Sequence, residues 1–233
     1  MINIVLTPSR SVDAEPYTTG DIIAKFAGIE MKSVNELIRR YKTDLEEFGI
    51  LPFEKEVLQG RGQPRKIWHL NEEQATLLIT YLDNTSAVRE FKKMLVRQFT
   101  DMKRELVKRR IKLEVGKDTS KGLNEAIRAS GIDMHGYEFS TFNSLVYKQA
   151  LGVGIGKLRQ ARGIPKADAI THYLSADEAD AIRRVKDQVI MLLELKMDYP
   201  QIKTALQRQG IIYQVQLTLP IKKKEVLQWI KFK

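Results

Sequence analysis

Arg61-Gly62-Gln63-Pro64-Arg65-Lys66 holds three cations, a glycine and a proline between two runs that alternate as strands do. Upstream, Leu51-Pro-Phe-Glu-Lys-Glu-Val-Leu58 places Phe53 and Val57 on alternate positions. Downstream, Lys66-Ile-Trp-His-Leu70 sets Ile67 and His69 against Trp68 and Leu70. Gly60 and Gly62 allow a tight reversal between the runs. The stretch therefore reads as the tip of a β-hairpin. A tip with so few apolar atoms has little to pack, so its cations are either solvated or held against phosphate or a minor groove.

The residues before the hairpin weigh on that choice. Thr18 or Thr19 can cap a helix, Asp21 sits in its first turn, Ile22, Ile23 and Phe26 form its apolar stripe, and Gly28 stops it. Ser33-Val-Asn-Glu36 is a capping box that opens a second helix through residue 45, with Val34, Leu37, Ile38, Tyr41 and Leu45 facing inward. Two helices joined by a short turn could be a generic αα-hairpin. Followed directly by a basic β-hairpin, they read as a winged helix-turn-helix. The expected DNA contacts are Lys32, Ser33, Asn35, Arg39, Arg40 and Lys42 around a recognition helix 33–45 in the major groove. Arg61, Gln63, Arg65 and Lys66 of the wing would lie on backbone or minor groove.

After the hairpin, Asn71-Glu-Glu-Gln74 is a second helix start, carried on by Leu77, Leu78, Tyr81 and Leu82. A long helix is predicted from Ala87 to about Glu114. Its stripe of Val88, Phe91, Leu95, Phe99, Met102 and Leu106 must be buried, either within its own domain or against a second copy, and a homodimer or larger oligomer is expected from the latter. Lys103-Arg104 and Lys108-Arg109-Arg110 are a solvated face or a phosphate-facing one. The polar, glycine-containing run from Val115 to Lys121 marks a domain boundary.

The chain thus divides into a lead at 1–16, a winged domain with its connecting helix at 17–115, a helical domain at 116–210 and a tail at 211–233. Helices are expected at Leu123–Ala129, Thr141–Leu151, Lys157–Arg162, from the capping box Ser175-Ala-Asp-Glu178 to Met197, and from Pro200 to Gln209. In the tail, Tyr213, Val215, Leu217 and Leu219 alternate like a strand, and the segment is either an oligomer contact or disordered. The fold class is mainly α with a small β-hairpin.

A formal charge of +10 on 233 residues favours polyanionic partners. Residues 1–110 hold 19 basic and 16 acidic groups, so most of the excess falls in the second half. The absence of cysteine excludes disulfides and thiolate metal sites. No apolar run approaches the ~20 residues that span a bilayer, and no membrane partner is expected. Catalysis finds no signature: His69, His135 and His172 are scattered without ligand spacing, and no nucleophile elbow is present. Gly152-Val-Gly-Ile-Gly-Lys157 is one residue short of a phosphate loop and is followed by Leu158 where a Ser or Thr would hold magnesium. Neither enzymatic activity, nor a cofactor, nor a metal is expected.

An ordered series of short motifs carries a resemblance. Thr18-Thr-Gly-Asp-Ile-Ile-Ala24, Val34 and Ile38, Gly60-Arg-Gly-Gln-Pro-Arg65 with Trp68, Thr76-Leu-Leu-Ile79, Ala87-Val-Arg-Glu-Phe-Lys92 and Phe99 to Met102 resemble the Rha family of phage regulatory proteins over residues 17–105. The pattern departs from that family at Glu30-Met31-Lys32, where a histidine is usual, and at Glu73-Gln74-Ala75, where Asp-Gly-Phe is usual. Leu158-Arg-Gln-Ala-Arg-Gly163 and Tyr173-Leu-Ser175 resemble C-terminal modules of phage antirepressor-like proteins. The resemblance implies a prophage-encoded, nucleic-acid-associated regulator with a winged-helix-like N-terminal domain, expected in the cytoplasm of a bacterial host. Double-stranded DNA is its expected partner; the alternative is an antirepressor that binds a phage repressor protein without touching DNA.

Overall fold

The computed structural model describes residues 3–56, 64–215 and 217. They form two compact units, one drawn from residues up to Ser9 and from Asp13–Leu106, the other from Arg10–Val12 and from Val107 onward. The chain is mainly helical with a small antiparallel sheet.

In the first unit the order is β1 (Thr18–Thr19), α1 (Gly20–Ala27), α2 (Met31–Arg40), α3 (Lys42–Glu46), β2 (Phe53–Glu56), β3 (Arg65–Leu70), α4 (Glu72–Thr80) and the first part of α5 (Ser86–Ser130). The sheet runs β1-β3-β2. Phe53 pairs with Trp68, Glu54 with Ile67, Lys55 with Lys66 and Glu56 with Arg65, so the strand alternation is as the sequence expects and buries Trp68 and Leu70. Two residues cannot show an alternation, which is why β1 read only as a helix cap. Thr18 instead donates its hydroxyl to the Ile4 carbonyl at 2.8 Å. Gly28, at φ 69°, ends α1 as expected, and Asn71 and Gln74 form the capping box of α4.

Three expectations are corrected here. The capping box at Ser33 does not form: α2 starts at Met31 with Glu30 at its N-cap and no side-chain cap bond. A capping bond contributes about 1 kcal/mol, whereas extending the helix adds a further turn and lets Met31, partly buried, pack beside Val34 and Ile38 at the edge of the core. The helix is also interrupted at Tyr41, so 33–45 is not one element but α2 and α3. Third, Val88, Phe91, Leu95 and Phe99 are each at most 1% exposed inside the first unit's own core. That burial removes them as a surface for a second copy; Met102 packs at the core's margin and Leu106 is half-buried.

The second unit comprises the rest of α5, α6 (Glu138–Leu151), α7 (Ile155–Arg162), a 3-10 turn (Ile170–Tyr173), α8 (Ala176–Glu194) and α9 (Tyr199–Gln209). The run Val115–Lys121, expected as a boundary, lies inside α5. A glycine in a helix costs about 1 kcal/mol, and contacts on both sides of Gly116 exceed that. Lys112 bonds Asp180 at 2.9 Å, Lys186 donates to Ser120 at 2.6 Å, and Leu123 and Ile127 are buried in the second core. Leu123–Ala129 is accordingly the last stretch of α5 and not a separate helix.

Ser175 with Glu178 and Asp198 with Gln201 cap α8 and α9. The first tail residues do not form a strand. The amides of Ile212, Tyr213 and Val215 donate to the carbonyls of Gln149, Ala150 and Leu151 at 3.4, 2.8 and 3.3 Å, which satisfies the open C-terminal carbonyls of α6, and Val215 is buried. Residues 216 and 218–233 of the tail lie outside the described residues.

Candidate nucleic-acid interface

Helix α2 turns Val34 and Ile38 into the core. At 100° per residue the opposite side carries Lys32, Glu36 and Arg39, with Asn35 on one flank and Ser33 and Arg40 on the other. Lys32, Ser33, Glu36, Arg39 and Arg40 are exposed and Asn35 is half-buried. Lys32 lies 3.9 Å from Glu36, with both side chains mostly in water, a pair of little energetic weight. Lys42 is on α3 and pairs with Glu46 at 3.2 Å, apart from the α2 stripe. Arg39 and Arg40 occupy the last turn of α2, where cations favour the helix dipole.

Glu36 is the residue the sequence concealed. As the expected partner of Ser33 in a capping box it read as structural; with α2 beginning at Met31 it is an exposed carboxylate in the middle of the stripe.

The hairpin presents its cations unequally. Arg65 is hydrogen-bonded to Glu56 across the strands, so its charge is already partnered, and its Nε is buried without an acceptor. Lys66 stands with its ammonium 4.2 Å above the Phe53 ring and 5.4 Å from that of Trp68, an arrangement worth about 0.5–1 kcal/mol at an exposed site. Lys55 is directly opposite Lys66 in the register. Like charges so placed repel, and sequence reasoning did not single out Lys55 because the pairing fixes it. On the other face His69 stacks on Tyr17 at 4.7 Å and reaches Glu54 at 3.6 Å. Arg61 and Gln63 lie outside the described residues.

Behind this surface Gln74 is buried and its amide nitrogen donates to the carbonyls of Leu45, Gly49 and Ile50 at 3.2, 2.9 and 3.3 Å. It ties α4 to the loop that leads from α3 into the hairpin.

Residues 18–104 match the family model of phage regulatory protein Rha. Over that stretch the chain is similar to the Rha family. The Rha segment takes in the sheet, the helix pair, α4 and the first part of α5, and it ends inside that helix. No curated protein matches the chain.

Other cations noted in the sequence are engaged elsewhere. Lys103 is bound to Glu72, whose carboxylate raises the lysine pKa through a hydrogen bond. Arg109 donates from Nε to the Leu174 carbonyl at 2.8 Å and from its second nitrogen to Arg10 and His172 carbonyls, a structural duty inside the second unit. Gly152 ends α6 and Gly154 caps α7, so the glycine run joins two helices, where a phosphate loop requires a strand first. Among the described residues no group of His, Asp or Glu is placed to hold a metal ion, and no helix is long and apolar enough to cross a membrane.

Proposed function

We propose that the chain is a phage regulator that binds double-stranded DNA as a winged helix-turn-helix, with α2 in the major groove and the hairpin against the backbone. The observation that carries this is the outward stripe of α2. Lys32, Asn35, Glu36 and Arg39 are polar groups on one side of a helix whose other side is locked into a core. An amide suits adenine, a guanidinium suits guanine and a carboxylate accepts from cytosine, each worth roughly 1–3 kcal/mol of discrimination. The opposed Lys55 and Lys66 give a cation pair whose repulsion a phosphate would relieve.

The test is selection of duplexes from a random pool, followed by titration at increasing salt. Affinity should fall steeply, with a slope near −0.9 per phosphate neutralised. Asn35→Ala and Arg39→Ala should each weaken the selected duplex roughly 5- to 150-fold with less effect on a scrambled one. Equal loss on both duplexes refutes base reading by α2.

The antirepressor reading has one observation in its favour. Phe48 and Ile50 are 43% and 89% exposed in the loop before β2, apolar surface of the kind a protein partner covers. Ile50→Asp would then abolish repressor binding while leaving any DNA affinity intact.

A further inference from the structure

On α5 the residues of the second unit that face its core are Lys112, Ser120, Leu123 and Ile127. The opposite side of the helix carries Val107, Ile111 and Val115, 58%, 56% and 46% exposed, at i, i+4 and i+8. Three β-branched residues in a row on a water-facing helix side have no packing role within the described chain. Their surroundings are symmetric about Ile111. Val107 is four before it and Val115 four after; Lys108 is three before and Glu114 three after; the sequence continues with Arg104 seven before and Asp118 seven after. Every cation in this set precedes Ile111 and every carboxylate follows it.

We infer that this face of α5 is the contact between two copies of the chain, packed antiparallel with Ile111 meeting its own counterpart on the two-fold axis. In that register Val107 meets the second copy's Val115, Lys108 its Glu114 and Arg104 its Asp118, so opposite charges flank a continuous apolar seam on both sides. A parallel pair in register would set lysine against lysine. The present intrachain partners do not oppose the exchange: Glu114–Lys117 at 2.7 Å and Asp118–Lys121 at 4.0 Å are exposed surface pairs and worth little. Three apolar side chains make a modest seam, so the dimer forms at micromolar concentrations. This contact is independent of the DNA reading and is measured without nucleic acid.

The chain has no cysteine, so single cysteines report the register directly. Under mild oxidation Ile111→Cys should give a covalent dimer. Val107→Cys and Val115→Cys should each fail alone, because self-pairs eight residues apart are about 12 Å apart along the axis, beyond disulfide reach; the two together should cross-link. Light scattering should show Lys108→Glu weakening the dimer at least tenfold and Lys108→Glu with Glu114→Lys restoring it. Circular dichroism of each variant checks that the helix is kept. A monomer at tens of micromolar, cross-linking by Val107→Cys as readily as by Ile111→Cys, or failure of the charge exchange to restore association each overturns the inference.

Discussion

Lys186 is buried in the second unit, where its ammonium donates to the Ser120 hydroxyl. Burial lowers its pKa from 10.5, with Asp187 opposing weakly. A lysine with a depressed folded pKa holds fewer protons folded than unfolded, so stability rises as pH climbs from that lowered value toward 10.5. Lys186→Met should therefore raise the melting temperature at pH 7, with a gain of about 1–3 kcal/mol, and the gain should shrink toward pH 10. Tyr147, pushed up to about 12 by burial, destabilises both proteins alike above pH 10 and cancels in the difference. A variant less stable than the parent at pH 7 would contradict this.

Arg162 is the opposite case. It is buried with Glu178 and also donates to the Tyr173 carbonyl at 2.8 Å. Arg162→Ala should cost about 3–5 kcal/mol in chemical unfolding because the carboxylate is left without its cation. The box joining Ser175 to Glu178 was legible because its members are three residues apart. The arginine was not, because its place 16 residues away depends on how α7 folds back. Glu36 was hidden for the same reason: its role turned on where the core set the start of α2.

Two glycines show how far the elements themselves could be read. Gly28 was legible as a stop because an apolar stripe ends there, and its φ of 69° confirms a left-handed position. Gly28→Ala should destabilise by about 1–2 kcal/mol. Gly116 has the same chemistry within a polar run that predicts a boundary, yet α5 passes through it and an added Cβ would meet nothing within 4 Å. Gly116→Ala should stabilise by about 0.5–1 kcal/mol, seen as a higher melting temperature; a lower one would show that the helix needs to bend there. No local signal separates the two, since what carries α5 across residue 116 is the anchoring of Lys112, Ser120 and Leu123. The hairpin succeeded on sequence alone because strand alternation repeats every two residues and Trp68 and Leu70 fall on one side of it.

The first core draws its α5 side chains from Val88 to Phe99 and the second from Leu123 and Ile127. A fragment of residues 1–112 should thus unfold cooperatively, with Phe91→Ala costing it about 3–5 kcal/mol. A fragment with helical signal and no cooperative transition would show that the second unit is needed to complete the first. The uninterrupted α5 also bears on how such a chain can be inherited. A recombination crossover between residues 107 and 119 separates the two sets of apolar core residues, and the joint must stay helical and keep partners for Arg109 and Lys112. Much of what lies beyond that joint can be traded for a different module while the first unit keeps its lineage.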